Sequence, residues 1–197
     1  MYTEFKYTTW YLALKLFGIY VIVIVINLLV LTGLLGILPN STAWPWVVQG
    51  LALLVNWGLV FMFASSDGRR DILVDNANEK RAARHEGFSY KNVYDKNKGF
   101  ISGALSQTPM ILIFLIWLLM GRPDNGLLFF SHLCFSPYFQ VVNALGLNIL
   151  AVLLFTALFS VMSGVAYLSA QSYQKKVLTI IKRNEEKAAV KGIAKKK

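Results

Sequence analysis

The sequence predicts an all-α integral membrane protein with four transmembrane helices and both termini on the cytoplasmic side (N-in/C-in). Three observations carry this reading. Of 197 residues, 56% are hydrophobic and only 15% are charged, where a soluble domain of this size carries about 25% charge. The apolar residues collect in four runs, each near the roughly 20 residues that a helix needs to cross a hydrocarbon core about 30 Å thick. Finally, 19 of the 20 Lys and Arg residues fall in segments that these runs place on one side, which is the positive-inside asymmetry of a multi-pass protein. A simple soluble enzyme is excluded. So is a disordered nucleic-acid-binding tail protein, despite a formal net charge of +10.

The first span covers residues 16–38 and ends before Pro39. Its β-branched run, VIVIVINLLVL, has strand propensity, but strands usually stay under about 10 residues, so length decides for helix. The run also exceeds the apolar core of a signal peptide and is expected to be retained. Trp10 and Tyr11 suit the inner interface, and Trp44 and Trp46 the outer one. The hairpin 39–45 carries no basic residue, and the second span covers 46–64.

Residues 65–100 form the expected cytoplasmic loop, with eight basic residues. The third span, 101–120, contains Pro109, which frees the Leu105 carbonyl and kinks the helix. An outer segment, 121–140, opens with the turn sequence GRPDNG and continues as an apolar stretch, 127–139, that is too short to cross. It is read as a short interfacial or re-entrant helix before the fourth span, 141–170. The basic tail, 171–197, begins helically, with Val177, Ile180 and Ile181 on one face. Such a tail attracts anionic lipid at the cytoplasmic surface. No aromatic or glycine-rich nucleic-acid motif accompanies it, so no specific nucleic-acid partner is expected.

Chemistry is sought in three places. Asp67, Asp71, Asp75 and Glu79 recur every four residues, which on a helix makes an acidic stripe. Like charges at that spacing repel mildly, so Arg69, Arg70, Lys80, Arg81 and Arg84 are expected to compensate as a salt-bridged face. A sharper reading is a divalent-metal or phosphate-handling site on this stripe at the cytoplasmic face, with Asp71, Asp75, Glu79 and His85 as ligands. The stripe is about 18 Å long at the helical rise, so only adjacent members can share an ion.

The spans themselves contain no Asp, Glu, Lys or Arg, which argues against ion-coupled transport by this chain alone. They do contain Asn27, Asn56, Gln107, Thr108 and Asn148, as interhelical polar contacts or the lining of a solute path. An Asn27–Asn56 contact is expected from their matched depth. Thr156, Ser160 and Gly164 form a small-residue stripe for close helix packing. His132 and Cys134 differ in type and fall short of the four ligands of tetrahedral zinc. A single cysteine also excludes a disulfide framework.

The expected function is that of a non-enzymatic subunit or accessory component of a membrane complex in transport, secretion or the envelope. It would work with a protein partner or as a homo-oligomer, in a bacterial cytoplasmic membrane. No catalytic residue, cofactor or metal is assigned. A channel or permease component is the first alternative, and a membrane-surface enzyme using the 67–79 carboxylates the second.

Overall fold

The computed structural model describes residues 8–37, 43–84, 90, 92–121, 133–138, 141 and 148–194. Every regular element among them is helical: α1 (Thr9–Ile37), α2 (Trp44–Ala82), α3 (Lys98–Ser106), α4 (Thr108–Leu119), a 3-10 turn (Ser136–Tyr138) and α5 (Ile149–Ala194). Four stretches are long and apolar enough to cross a membrane: Thr9–Val30, Pro45–Ala82, Lys98–Leu119 and Ile149–Gln174. Helix prevails over the β-branched bias of α1 because lipid offers no partner for backbone N–H and C=O groups, and only a helix pairs them within one segment.

Three boundaries differ from the sequence reading. Helix α1 starts at Thr9 rather than at residue 16. Helix α2 does not end with its apolar run but continues to Ala82, 39 residues in all, so much of the expected 65–100 loop is helix. Its second half has no proline after Pro45, and Lys80 and Arg81 stand in its last turn, where cations complement the helix dipole. The third span breaks at Gln107, two residues before Pro109, because proline removes the N–H that would bond Leu105. Helix α5 runs unbroken from the fourth span into the tail.

Helix α1 packs against α2 and α3, and α5 packs against the same two. The bundle is therefore a ring in the order α1–α2–α5–α3, with α1 facing α5 and α2 facing α3 across its diagonals. Tyr20 of α1 meets Phe159 of α5 edge-on at 5.5 Å across one diagonal. Helix α1 buries Leu12, Leu16, Ile19, Tyr20, Val23 and Asn27, a single face at helical spacing. Its other face exposes Leu14, Ile22, Val25 and Leu29, the all-round apolar pattern of a membrane helix.

Helices α3 and α5 approach closely. A Cβ on Gly99 would stand 2.5 Å from the Tyr167 Cβ, and one on Gly103 would stand 2.8 Å from the Ser160 Cα. Ser163 donates to the Gly99 carbonyl (2.6 Å) and Ser160 to the Phe100 carbonyl (2.7 Å). Gly99-x-x-x-Gly103 thus meets the expected Ser160/Gly164 stripe, and small residues let the two backbones come together.

Residues 134–138 are buried, and Leu133 is partly buried, in the half of the bundle away from Asp71. Phe135 lies between Phe114 of α4 (6.5 Å) and Phe155 of α5 (6.3 Å), and Tyr138 stacks on Phe155 at 4.2 Å. Tyr20 donates to the Cys134 carbonyl and Asn27 to the Ser136 carbonyl. Of the apolar stretch expected at 127–139, residues 127–132 and 139 lie outside the described residues.

Candidate functional site

The inward face of α2 reads Asn56, Val60, Ala64, Asp67, Asp71, all buried, followed by partly buried Asp75. The acidic stripe is the polar continuation of the face that packs the core. It is not a solvated flank. Its compensation also differs from expectation: of the five basic residues on the same stretch, Arg70 joins the carboxylates, and the other cations come from different helices.

Asp67 accepts from Lys15 of α1 at 3.0 Å and pairs with Arg70 at 3.2 Å. Asp71, with no exposed surface, sits on the second diagonal of the ring. Its Oδ2 accepts from Lys98 Nζ of α3 (2.5 Å) and from the Tyr167 hydroxyl of α5 (2.8 Å). Its Oδ1 accepts from Arg70 Nη2 (3.1 Å) and Nε (3.3 Å). An ionised carboxylate offers about four lone-pair sites, and all four are occupied. Lys98 is itself buried, so this is an internal ion pair between α2 and α3, which the Tyr167 hydrogen bond extends to α5.

Asp75 holds the chain that leads into α3, accepting the backbone N–H groups of Val93 (2.7 Å) and Tyr94 (2.9 Å). The Tyr94 ring stacks on Tyr167 at 5.2 Å. Burial, followed by the charges of Asp71 and Asp95, pushes the Tyr94 phenol above its usual range. Arg69 turns outward from the stripe and covers the Tyr173 ring of α5 at 3.9 Å, a cation–π contact. Glu79 is exposed, and His85 lies outside the described residues.

This arrangement is a lock. Its carboxylates spend their lone pairs on ammonium, guanidinium, phenol and backbone donors, which leaves Asp71 no site for a metal or a transferred proton. Among the described residues, no three His, Cys, Asp or Glu side chains are placed to hold a metal ion. Asp67 Oδ2 is buried without a partner.

The intramembrane amides divide. Contacts of Tyr11 with Arg70 and of Lys15 with Asp67 show that α1 and α2 run antiparallel. Twelve residues out along α1 and eleven along α2, Asn27 and Asn56 stand at one level, about 17 Å from the Lys15–Asp67 pair at the helical rise. The expected depth is correct and the expected contact is not. Asn27 donates to the Ser136 carbonyl at 2.7 Å, while Asn56 has neither carboxamide atom bonded. Gln107 is buried with Nε2 unpaired. Thr108 is exposed, and the Asn148 side chain caps α5 through the Ala151 N–H (2.9 Å).

Sequence reasoning missed Lys15, Lys98 and Tyr167 as partners of the stripe, along with the Gly99-x-x-x-Gly103 motif. The glycine spacing was a readable signal. The three partners were not, because nothing local marks which distant cation meets a given carboxylate.

Comparison of the chain with protein families, with curated proteins and with solved structures finds no match.

Proposed function

We propose that this chain is a four-span membrane protein, N-in/C-in, that serves as a non-enzymatic subunit of a larger membrane complex in a bacterial cytoplasmic membrane. One observation carries the functional part: α5 continues as one helix from the fourth span to Ala194. Twenty residues of it lie beyond Gln174, where the membrane-compatible stretch ends, so the arm is about 30 Å long. It carries Lys175, Lys176, Lys182, Arg183, Lys187 and Lys191.

At its base the arm is clamped. Tyr167 bonds Asp71, Ala170 packs on Gly68, and Tyr173 lies under Arg69. A basic rod fixed to a locked bundle suits docking at the cytoplasmic face, with anionic lipid headgroups steering it. The saturated Asp71 carboxylate supports a structural task over catalysis. The buried 133–138 turn serves as a re-entrant plug in the outer half, in place of an interfacial helix.

The test is extraction of native membranes in mild detergent, with the full chain compared against one truncated after Gln174. The full chain should migrate in a particle much larger than one 22.2 kDa chain in its detergent belt. Truncation should release it while Cys134 stays protected from thiol reagents. A full chain that migrates alone, with no crosslink from a photoreactive residue at position 180, contradicts the proposal.

A further inference from the structure

We propose that Asn27, Asn56, Trp57, Ser136 and Tyr138 form an internal site, in the half of the bundle away from Asp71. It would take a small neutral molecule bearing both hydrogen-bond donors and acceptors, such as a hydroxyl or carboxamide solute, or water. The Asn56 side chain is fully buried, and Asn27, Ser136 and Tyr138 are each more than nine-tenths buried. Yet Asn27 Oδ1, both Asn56 carboxamide atoms, Trp57 Nε1, Ser136 Oγ and the Tyr138 hydroxyl have no partner.

The fold brings these groups to one level of the bundle. Asn27 and Asn56 share a level on adjacent helices, Asn27 reaches the Ser136 backbone at 2.7 Å, and the Trp57 indole neighbours the Tyr138 phenol without reaching hydrogen-bond geometry. The turn that carries Ser136 and Tyr138 packs on both α1 and α2.

The unmet valences complement one another. Two amide oxygens accept, the Asn56 amide and the Trp57 indole donate, and two hydroxyls do either. The Trp57 indole and the Tyr138 phenol are neighbours that lack a well-formed direct bond, and a bridging molecule would complete both. Polar groups removed from water are paired in stable proteins, and lipid supplies no substitute. The ligand is neutral because the five lining side chains are uncharged, and the nearest ion pair on α1 and α2 is about 17 Å away along the helices. It is small because the Asn27–Ser136 bond and the 4.2 Å Tyr138–Phe155 stack close two sides.

The experiment uses the full chain in lipid discs, as wild type and as Asn56→Leu and Tyr138→Phe variants. In one arm glycerol is titrated against the thermal midpoint, with sucrose as the control for general solute exclusion. A resident solute site gives a saturable rise of several degrees in the wild type, with none beyond the sucrose effect in Asn56→Leu. In the other arm, hydroxyl radicals generated within the sample label buried aromatics that touch bound water. Label on Tyr138, absent from equally buried Tyr20 and lost in Asn56→Leu, assigns the site to water. Glycerol suppression of that label assigns it to solute. If neither variant can be purified, the wild-type contrast between Tyr138 and Tyr20 still decides. Absence of both the saturable rise and the Tyr138 label overturns the proposal.

Discussion

Replacing Lys98 with Met probes the lock most sharply, because it removes the ammonium and keeps the length of the side chain. Lys98 and Asp71 are both buried and lie 2.5 Å apart. At an effective dielectric near 20, two unit charges at this separation attract by about 7 kcal/mol. Release of Lys98 from its own burial offsets part of that. Removing one partner of a buried pair costs about 3–5 kcal/mol in measured cases. Arg70 remains on Asp71 Oδ1, which places the expected loss near the lower end, about 3 kcal/mol. At about 2–4 °C per kcal/mol for chains of this size, the midpoint should fall by about 6–12 °C. Cys134, buried and unpaired, supplies the assay, since it reacts with a fluorogenic maleimide as the core opens. In the Asp71→Asn/Lys98→Met double variant no uncompensated charge remains between these two positions, and at least half of the loss should return. A Lys98→Met protein within 2 °C of wild type, or a double variant no better than the worse single one, would show that the buried pair does not hold the bundle together.

Four further outcomes follow from the same geometry. Gly103→Ala should destabilise by about 1–3 kcal/mol through overpacking against α5, whereas Gly58→Ala, whose added methyl meets nothing within 4 Å, should gain about 0.5–1 kcal/mol of helix propensity; paired melts in one detergent compare them. Asp75→Ala should raise amide exchange and protease cutting across 92–97, because two backbone donors lose their acceptor, and it should leave the bundle midpoint nearly unchanged. Tyr167→Phe should cost about 1.5–3 kcal/mol, the range for a hydrogen bond to a charged group, read on the same thiol assay. Tyr94→Phe should be neutral at pH 7, since the hydroxyl has no partner. Because the folded phenol titrates above its usual range, the wild type loses stability as pH rises past about 10, when the unfolded chain ionises first. The variant should show a shallower alkaline decline in melts taken from pH 8 to 11.

The architecture was legible because lipid imposes a length and a composition on anything that crosses it, and all four helices obey. Boundaries were less so. Hydropathy stops at Ala64, but nothing in SSDGRRDILVDNANEKRA breaks a helix except one glycine, so α2 continues in register and its inward face becomes carboxylate. The four-residue spacing correctly announced one face. That the face points inward was hidden, because charge usually signals solvent and the partners Lys15, Lys98 and Tyr167 sit 52, 27 and 96 residues away. Asn27 and Asn56 illustrate the same limit. Their common depth follows from helix rise, but the carbonyl that captures Asn27 belongs to the 133–138 turn, whose insertion no local pattern foretells.

In the proposed topology the charged lock and the basic arm of the four-span bundle share the cytoplasmic side. Single cysteines at positions 43, 96 and 180, in a Cys134→Ser background, test it with a membrane-impermeant maleimide on intact cells. Position 43 should label at once, and positions 96 and 180 only after the cells are permeabilised. Label at 96 or 180 in intact cells would contradict the account.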